Sequence, residues 1–338
     1  MAKILVTGGL GFIGSHTVIE LQKAGHEAVI VDNLDNSSLD VLDGITAISA
    51  IKPSFEKLDL RLKSAVENLL QRHSDIDGII HFAAYKAVGE SVEKPLAYYE
   101  NNIGSLVNLL QAAEQNQIKN FIFSSSCTVY GEAKELPISE DSPVVPAESP
   151  YGNTKQIGEE ILVDTTKGGK LNAIALRYFN PIGAHESAII GELPAGVPQN
   201  LVPYITQTAI GLRQQLSVYG DDYPTRDGTC IRDYIHVVDL AKAHVTAVER
   251  LVEQKNNQAF EVFNLGTGTG STVLEVIKSF EKISGESLNY QIVARREGDV
   301  TAAYANTTKA NNVLGWKAEK NLDEAMTDAW RWEQKIRN

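Results

Sequence analysis

Cysteines and long apolar runs are what this chain of 338 residues has least of. Cys127 and Cys230 are its only cysteines; they are far apart and lack the spacing of metal ligands. Two such cysteines suit a reducing compartment. No apolar run approaches the roughly 20 residues of a membrane span, and the run at the N-terminus is too short for a signal peptide. We therefore expect a cytoplasmic protein with no metal site and no membrane partner.

A basic surface is also missing, because the formal net charge is −12. This charge argues against a broad nucleic-acid-binding surface, which needs a basic footprint. It still allows a local basic pocket for a phosphorylated small molecule. The hydrophobic share of 43% and the charged share of 22% are those of an ordinary globular protein. The length suffices for one large domain or two modest ones.

Three glycines near the N-terminus form the first motif. The apolar run 4–6 predicts a strand buried on both faces, and Gly8, Gly11 and Gly14 follow it with GxxGxxG spacing. An apolar stripe then predicts a helix, and residues 28–31 predict a second buried strand. In such a unit, glycines let backbone N–H groups and the helix N-terminus approach a pyrophosphate. The unit therefore predicts a dinucleotide site.

Asp32 follows the second predicted strand directly. A carboxylate at that point accepts hydrogen bonds from the adenosine ribose hydroxyls and repels a 2′-phosphate, which favours NAD over NADP. The alternative is a helix N-cap or an Asx turn within residues 32–37. The two interpretations are compatible.

Helices and strands continue to alternate along the first half of the chain. Apolar runs predict strands and one long helix, in chain order a short strand at 58–60, a strand from 78, the helix at 98–117, and strands at 121–123 and 173–176. The fold class predicted is α/β, a Rossmann-type doubly wound parallel sheet with a smaller, loop-rich C-terminal domain.

Loops rich in proline and glycine become frequent beyond about Pro181. We therefore expect the NAD-binding domain at 1–180 and the second domain mainly at 181–338. The apolar helical and strand patterns within 236–266 predict that this stretch returns to the first domain.

The candidate catalytic residues are Ser126, Tyr151 and Lys155. Ser126 follows a predicted strand, so it points toward the crevice at the carboxyl edge of the sheet. A helix beginning near Pro150 places Tyr151 and Lys155 one turn apart on one face. A nearby ammonium lowers the pKa of a tyrosine and makes it a general base toward a secondary alcohol, while NAD takes the hydride. A chance surface pair, and a serine that bonds its own turn, remain the alternatives.

Further blocks of sequence carry a family resemblance. With its glycine loop and its Tyr-x-x-x-Lys, the chain resembles the extended short-chain dehydrogenase/reductases nearly end to end, and among them the UDP-galactose 4-epimerases. The blocks concerned are residues 81–91, 121–126, 177–181, 232–236 and 295–299.

The resemblance implies an isomerase that keeps its NAD bound. The sugar C4 hydroxyl would be oxidised to a ketone, the intermediate would turn about the bond between UDP and sugar, and hydride would return to the other face. Matching positions are expected around NAD at Gly8, Gly11, Phe12, Ile13, Gly14, Asp32, Asn33, Asn36, Ser37, Asp59, Leu60, Phe82, Ala83, Lys86, Asn101, Tyr151, Lys155 and Tyr178. Those expected around the UDP-sugar are Ser126, Asn180, Asn200, Leu201, Tyr219, Arg232, Arg296, Asp299 and Ala303.

Two arginines in C-terminal loops suit a diphosphate, because the guanidinium fork matches phosphate oxygens. The ordinary alternative is local ion pairing. Arg232 would then pair with Asp233 or Asp239, and Arg296 with Glu297 or Asp299.

Ala303 stands where the family resemblance places a residue of the sugar pocket. A tyrosine there goes with unmodified hexoses and a smaller residue with N-acetylated ones, so we expect UDP-N-acetylglucosamine and UDP-N-acetylgalactosamine to be accepted as well. The adjacent Tyr304 could occupy the pocket instead. The family also implies a homodimer that pairs through helices at about 98–117 and 151–167.

Three rival functions remain at this stage. A nucleotide-sugar 4,6-dehydratase would need an acid and a base, which relatives supply as an Asp-Glu pair where this chain has Cys127 and Thr128. A simple dehydrogenase would release NADH, and a non-catalytic NAD-binding protein would not need Ser126, Tyr151 and Lys155 together.

Overall fold

Parallel strands form the centre of the fold in the computed structural model, which describes residues 1–296 and 298–337. The strands are β1 (Lys3–Thr7), β2 (Glu27–Asp32), β3 (Ser54–Lys57), β4 (Gly78–His81), β5 (Asn120–Ser124), β6 (Asn172–Tyr178), β7 (Asn180–Ile182), β8 (Leu216–Tyr219), β9 (Ile231–Arg232), β10 (Tyr234–His236), β11 (Phe260–Leu265), β12 (Ser271–Thr272), β13 (Tyr290–Val293) and β14 (Ala302–Ala303).

The helices alternate with these strands. They are α1 (Phe12–Lys23), α2 (Asp40–Ser49), α3 (Lys63–Arg72), α4 (Val88–Glu93), α5 (Pro95–Tyr98), α6 (Ser105–Gln115), α7 (Pro150–Lys167), α8 (Leu201–Ala209), α9 (Val237–Val252), α10 (Val273–Ser284) and α11 (Leu322–Arg337). Single-turn segments are the π-helices Tyr99–Gly104 and Ala310–Leu314 and the 3₁₀ helix Cys127–Tyr130. None of the described helices combines the length and the apolar character that crossing a bilayer demands.

The central sheet has seven strands among the described residues, in the order β11-β6-β5-β4-β1-β2-β3, all parallel. This confirms the predicted Rossmann-type α/β class. The strand order reverses between β1 and β4, and such a switch point opens a crevice at the carboxyl ends of the strands. β11 pairs with β6 at the far edge.

Both faces of the sheet are buried, as the continuous apolar runs predict. On one face, α1 packs against α9 and α2, and the core there includes Val18, Ile30 and Leu240. On the other face, α3 packs against α6, over Leu5 and Phe121. The sheet therefore holds the glycine loop and the start of α7 at one rigid edge.

The short strand predicted at 58–60 is wrong, because the strand in this region is β3, at Ser54–Lys57. Its sequence, Ser-Phe-Glu-Lys, contains one apolar residue and lies at the sheet edge, so an apolar run cannot reveal it. The helix predicted at 98–117 exists but is interrupted by the π turn 99–104. There Asn102 is buried, and its amide bonds the Tyr85 backbone and the Thr154 hydroxyl.

A third apolar cluster lies in the C-terminal part of the chain. It joins α8, α10 and α11, with Phe280 and Trp330 packed edge to face at 5.3 Å between ring centroids. The small sheets β12-β9-β14 and β13-β8 lie in this part. They carry Arg232 in β9, Ala303 in β14 and Tyr219 at the end of β8.

Candidate active site

The glycine loop lies between β1 and α1, at the switch point. Gly8 has a positive φ of 66°, and a Cβ there would lie 2.8 Å from the backbone nitrogen of Ala83. A Cβ on Gly14 would collide with the carbonyl of Gly8. Gly11 is the N-cap of α1 and makes no side-chain capping bond, so the first N–H groups of α1 stay available. This open cradle fits a dinucleotide pyrophosphate.

Asp32 is largely buried at the end of β2, and both of its oxygens accept hydrogen bonds. Oδ1 accepts from the Leu34 N–H at 2.9 Å and from the Ser37 hydroxyl at 2.8 Å, and Oδ2 accepts from the Leu10 N–H at 3.1 Å. The Asx turn is therefore present, and the same carboxylate also ties the glycine loop to β2. Oδ2, which accepts only one of these bonds, keeps acceptor capacity for a ribose hydroxyl.

The other residues predicted around NAD line the same edge of the sheet, with a few already engaged. Asp59 is held by Arg61, the Lys86 ammonium lies 3.3 Å from Glu192 Oε1, and the Tyr178 hydroxyl lies 2.6 Å from Ser124 Oγ. The remaining ones are Phe12 and Ile13 in the first turn of α1, Asn33, Asn36 and Ser37 after β2, Leu60 after β3, Phe82 and Ala83 after β4, and Asn101 in the π turn.

The helix α7 begins with a clear start signal. Ser149 is its N-cap and accepts a hydrogen bond from the Gly152 N–H at 3.2 Å, and Pro150 occupies the first helical position. Tyr151 and Lys155 consequently lie in the first turns, both buried against the sheet. The Lys155 ammonium lies 5.8 Å from the centroid of the Tyr151 ring and donates to the Ser124 carbonyl at 2.6 Å.

Ser126 follows β5 at the crevice, and its hydroxyl can accept and donate hydrogen bonds at the same time. Its Oγ accepts from the Thr128 N–H at 3.2 Å and from the Thr128 hydroxyl at 3.0 Å, and so caps the 3₁₀ helix 127–130. These bonds leave its own O–H free to donate toward the Tyr151 phenol, whose pKa Ser126 acts to lower. Ser126 therefore bonds its own turn, as the alternative interpretation predicts, and its O–H remains available to Tyr151.

The electrostatics of the tyrosine differ from the sequence prediction. Burial raises the pKa of Tyr151 far above its ordinary value, Tyr178 adds to this, and Ser126 acts in the opposite direction. Burial also lowers the pKa of Lys155 to about 8, opposed by Glu159. The predicted lowering of the Tyr151 pKa by Lys155 is therefore not seen in the chain alone, because desolvation outweighs the ammonium.

Most of the residues predicted around UDP belong to the C-terminal part, and several are paired. Arg232 forms an ion pair with Asp299, so the alternatives Asp233 and Asp239 are wrong. The guanidinium of Arg296 lies 4.7 Å from the centroid of the Tyr219 ring. The partner Glu297 that we considered for Arg296 lies outside the described residues.

The remaining predicted substrate residues are placed as follows. Asn180 is in β7, Asn200 caps α8 and donates to Glu192 Oε1 at 2.6 Å, and Leu201 is the first residue of α8. Ala303 lies opposite Arg232 in the β14–β9 pair and shares an apolar cluster with Cys127, next to Ser126. Tyr304 instead packs against the backbone of Gly270. Ala303 therefore packs on the same apolar cluster as Cys127, whereas the Tyr304 ring lies against Gly270.

His236 has a structural role at the start of α9. It caps α9 by accepting from the Val238 N–H, and it lies 3.1 Å from Asp328.

Sequence reasoning missed three residues near this site: Glu159, Arg177 and Glu192. Glu159 bonds Ser125 and Arg177, while Glu192 contacts both Lys86 and Asn200. The spacing of Tyr151, Lys155 and Glu159, four residues each, was a usable signal for Glu159. Glu192 carried no such signal, because its partners lie 106 and 8 residues away.

The chain matches known proteins over nearly its whole length. A family model described as GDP-mannose 4,6 dehydratase matches residues 5–329. The chain is similar to the UDP-glucose 4-epimerase of Mus musculus, with 48% identity over 99% of this chain and 97% of that protein. It is also similar to a crystal structure of UDP-glucose-4-epimerase from Stenotrophomonas maltophila with bound NAD and formylated UDP-arabinopyranose (45% identity, TM-score 0.96, 100% and 99% of the two chains covered). The Bifidobacterium longum enzyme in complex with NAD+ and UDP is similar at 46% identity and a TM-score of 0.94, with 99% of each chain covered.

Proposed function

We infer the reaction from one premise: the chain belongs to the extended short-chain dehydrogenase/reductase family whose model is described as GDP-mannose 4,6 dehydratase and, within it, to the UDP-glucose 4-epimerases. It is an NAD-dependent isomerase that interconverts UDP-galactose and UDP-glucose. The sugar C4 hydroxyl is oxidised, the 4-keto sugar turns about the bond to UDP, and reduction occurs on the other face. NAD, when bound, supplies the acceptor and donor of the C4 hydride.

The observation that carries the site assignment is the shared location of Ser126, Tyr151 and Lys155 at the carboxyl edge of β5. Tyr151 takes the C4 hydroxyl proton and returns it within one turnover. Ser126 donates to the reacting oxygen, and Lys155 supplies the positive charge that a buried phenolate requires. Because burial alone raises the Tyr151 pKa, the residue works as a base only with such a charge beside it.

The decisive variant is Tyr151→Phe, which removes the base and keeps the ring. It is incubated with UDP-galactose and no added cofactor, while UDP-glucose and NADH absorbance are followed. We expect conversion to fall by at least about a hundredfold, with NAD still bound. Tyr99→Phe is the matched control, because the Tyr99 hydroxyl only accepts from Asn153 at 2.6 Å. Activity retained in Tyr151→Phe would reassign the base.

The 4,6-dehydratase named by the family model is the rival with a specific observation behind it. Elimination of water needs an acid and a base after β5, where this chain has Cys127 and Thr128. Burial raises the pKa of the Cys127 thiol to about 12, so it is neither a base nor a useful acid at neutral pH. A 4-keto-6-deoxy product in the same assay would favour the rival.

NAD is proposed to lie along the edge formed by the glycine loop, Asp32 and the segment after β4. The open N-terminus of α1 faces its pyrophosphate, and Asp32 receives the ribose hydroxyls. Asn33, Asn36, Ser37, Asp59, Leu60, Phe82, Lys86, Asn101 and Tyr178 complete the proposed set by their positions. The domain division at about residue 180, with 236–266 in the NAD-binding part, is proposed on the same basis.

UDP is proposed to bind at the C-terminal part through Arg232 and Arg296. A guanidinium matches phosphate oxygens. The positive charge of Arg232 acts to lower the pKa of the Cys127 thiol, against the larger effect of burial. Asp299 orients Arg232 through their ion pair. Asn180, Asn200, Leu201 and Tyr219 are proposed around the nucleotide.

Ala303 is proposed to admit an N-acetyl group on the sugar. The support is geometric: Ala303 lies in one apolar cluster with Cys127, and Tyr304 packs on Gly270 instead. Ala303→Tyr should lose turnover of UDP-N-acetylglucosamine by at least about tenfold while keeping UDP-glucose, since only the larger substrate needs that space. Equal losses on both substrates would remove the steric argument.

A homodimer is proposed through the α6–α7 region. α4 and α5 pack against α7, and they expose Val88, Val92 and Leu96 at four-residue spacing, with Leu96 81% exposed. Such an apolar row is typical of an interface. Leu96→Glu should give a monomer in light scattering, whereas Leu62→Glu, at an exposed leucine before α3, should not. We also propose a cytoplasmic location, which the two free thiols suit.

A further inference from the structure

A buried hydrogen-bond network lies directly behind the serine segment, residues 124–126. The Ser125 hydroxyl donates to Glu159 Oε1 at 2.5 Å. The Arg177 guanidinium grips the same carboxylate, with Nε at 2.9 Å from Oε1 and Nη2 at 2.5 Å from Oε2. Ser125, Glu159 and Arg177 are all more than nine-tenths buried.

The network continues to the far edge of the sheet. Arg177 Nη1 donates to the Tyr130 hydroxyl at 2.9 Å, and that hydroxyl donates to Asn264 Oδ1 at 2.7 Å. The amide of Asn264 then donates to the Ile138 carbonyl at 2.9 Å. Fully satisfied networks of this kind hold their members in one arrangement. The guanidinium is therefore fixed from both sides.

Stability is a poor reason for this ion pair. Buried pairs gain little over well-packed apolar residues, because desolvation of the two charges offsets their attraction. The position of the pair next to the candidate catalytic residues suggests another role. Glu159 lies one helical turn beyond Lys155 and two beyond Tyr151, on the same face of α7. Ser125, which it holds, lies between Ser124, the acceptor of Lys155, and Ser126, the partner of Tyr151.

We propose that Glu159, oriented by Arg177, is a positioning residue for the catalytic set: it fixes the serine segment and holds its carboxylate one helical turn beyond Lys155 on the same face of α7. This inference rests on the roles proposed above for Tyr151, Lys155 and Ser126. The Glu159 carboxylate is bonded by Ser125 and Arg177 behind the serine segment, so it acts through these neighbours.

Several groups surround the Lys155 ammonium, and Glu159 is the anion that acts on it. Burial lowers the Lys155 pKa, and the carboxylate of Glu159 raises it again. His81 is neutral in the working pH range, because burial lowers its pKa to about 3. The groups concerned are Tyr151 and Glu159 on α7, the Ser124 carbonyl and the Phe123 ring on β5, and His81 on β4.

The test uses the double variant Glu159→Gln/Arg177→Gln, which replaces the ion pair by two neutral amides. A single Glu159→Gln change would leave the buried Arg177 charge without a partner and destabilise the protein. A fall in activity could then reflect unfolding and not a change in catalysis. We measure kcat and KM for UDP-galactose across pH, together with urea unfolding and bound NAD. The matched control is Asp164→Asn, on the same helix, where the carboxylate pairs with Lys167 in solvent.

For the double variant we expect kcat to fall about tenfold with KM unchanged, and the alkaline limb of the kcat profile to move down by about one pH unit. Asp164→Asn should leave both unchanged. Wild-type kcat with an unmoved alkaline limb in the folded double variant overturns the inference, because a purely structural pair would behave that way.

Ser125→Ala tests independently whether Glu159 fixes the serine segment. This variant also replaces the double variant as the test if the double variant fails to fold. It removes the hydroxyl and keeps every charge, so we expect a lower kcat with the alkaline limb in place. Full activity in Ser125→Ala overturns the positioning role. Tyr151→Phe is run in parallel: activity in that variant refutes the proposed function, whereas an inactive Tyr151→Phe with a wild-type double variant refutes this inference alone.

Discussion

Gly8→Ala is the substitution whose consequence the structure defines most closely. The residue has φ of 66°, and an added Cβ would lie 2.8 Å from the Ala83 nitrogen, in backbone that cannot rotate away. The left-handed conformation costs a non-glycine residue roughly 1–2 kcal/mol. The overlap with backbone adds about 1–3 kcal/mol, the usual range for overpacking. We expect a total loss of about 2–5 kcal/mol in the free energy of unfolding, and weakened NAD binding.

Gly25→Ala separates these two effects. Gly25 has φ of 81°, but a Cβ there has no neighbour within 4 Å. It should lose only the conformational part, roughly 1–2 kcal/mol, and keep its NAD. Urea unfolding and the NAD content of the purified proteins measure both quantities. If Gly8→Ala were no less stable than Gly25→Ala and held the same NAD, the close approach of the loop to Ala83 would have no energetic role.

Two further outcomes follow from single groups in the structure. Asp32→Ala should weaken NAD binding at least about tenfold and narrow the preference over NADP, because the ribose acceptor and the anion that repels a 2′-phosphate are both lost; calorimetric titration of stripped protein measures this, and unchanged selectivity would contradict it. Burial lowers the pKa of His16 to about 3 and of His244 to about 4, so below pH 6.5 the unfolded chain takes up protons that the folded chain refuses. Stability should therefore fall as the pH drops, by about 2 kcal/mol per histidine at pH 5. His244→Gln should remove about that much of the difference between urea unfolding at pH 7.5 and pH 5, and an unchanged difference would assign the acid sensitivity elsewhere.

The local pattern of the chain was enough to predict the sheet and the dinucleotide unit. Strands such as β1 and β2 are buried on both faces, so each appears as an uninterrupted apolar run. The glycine loop lies between strand and helix with an acid after the next strand, and the whole unit is contiguous in sequence. β3 escaped this reasoning because an edge strand needs no apolar run.

The start of α7 could also be predicted from sequence. Ser149 and Pro150 indicate the start of a helix, and helical geometry then puts Tyr151 and Lys155 on one face. These are inferences over a few residues, where backbone geometry alone determines which side chains are neighbours.

Tertiary structure decided which partner each group found. Arg232 pairs with Asp299, 67 residues away, and not with the adjacent Asp233, whose carboxylate is already occupied by the N–H groups of Thr267 and Ala305. Ala303 lies opposite Arg232 because β14 pairs with β9 in one register. No local pattern encodes these choices, since they depend on which strands the topology brings together.

Tertiary structure also set the protonation of the catalytic pair. From sequence, a lysine one turn from a tyrosine predicts a lowered tyrosine pKa. In the fold, both side chains are buried, and desolvation raises the pKa of Tyr151 and lowers that of Lys155. Strand ends and helical spacing were enough to predict that Ser126, Tyr151 and Lys155 lie near one another at the carboxyl edge of the sheet. Burial, which only the packed structure establishes, decided how strongly each of them holds its proton.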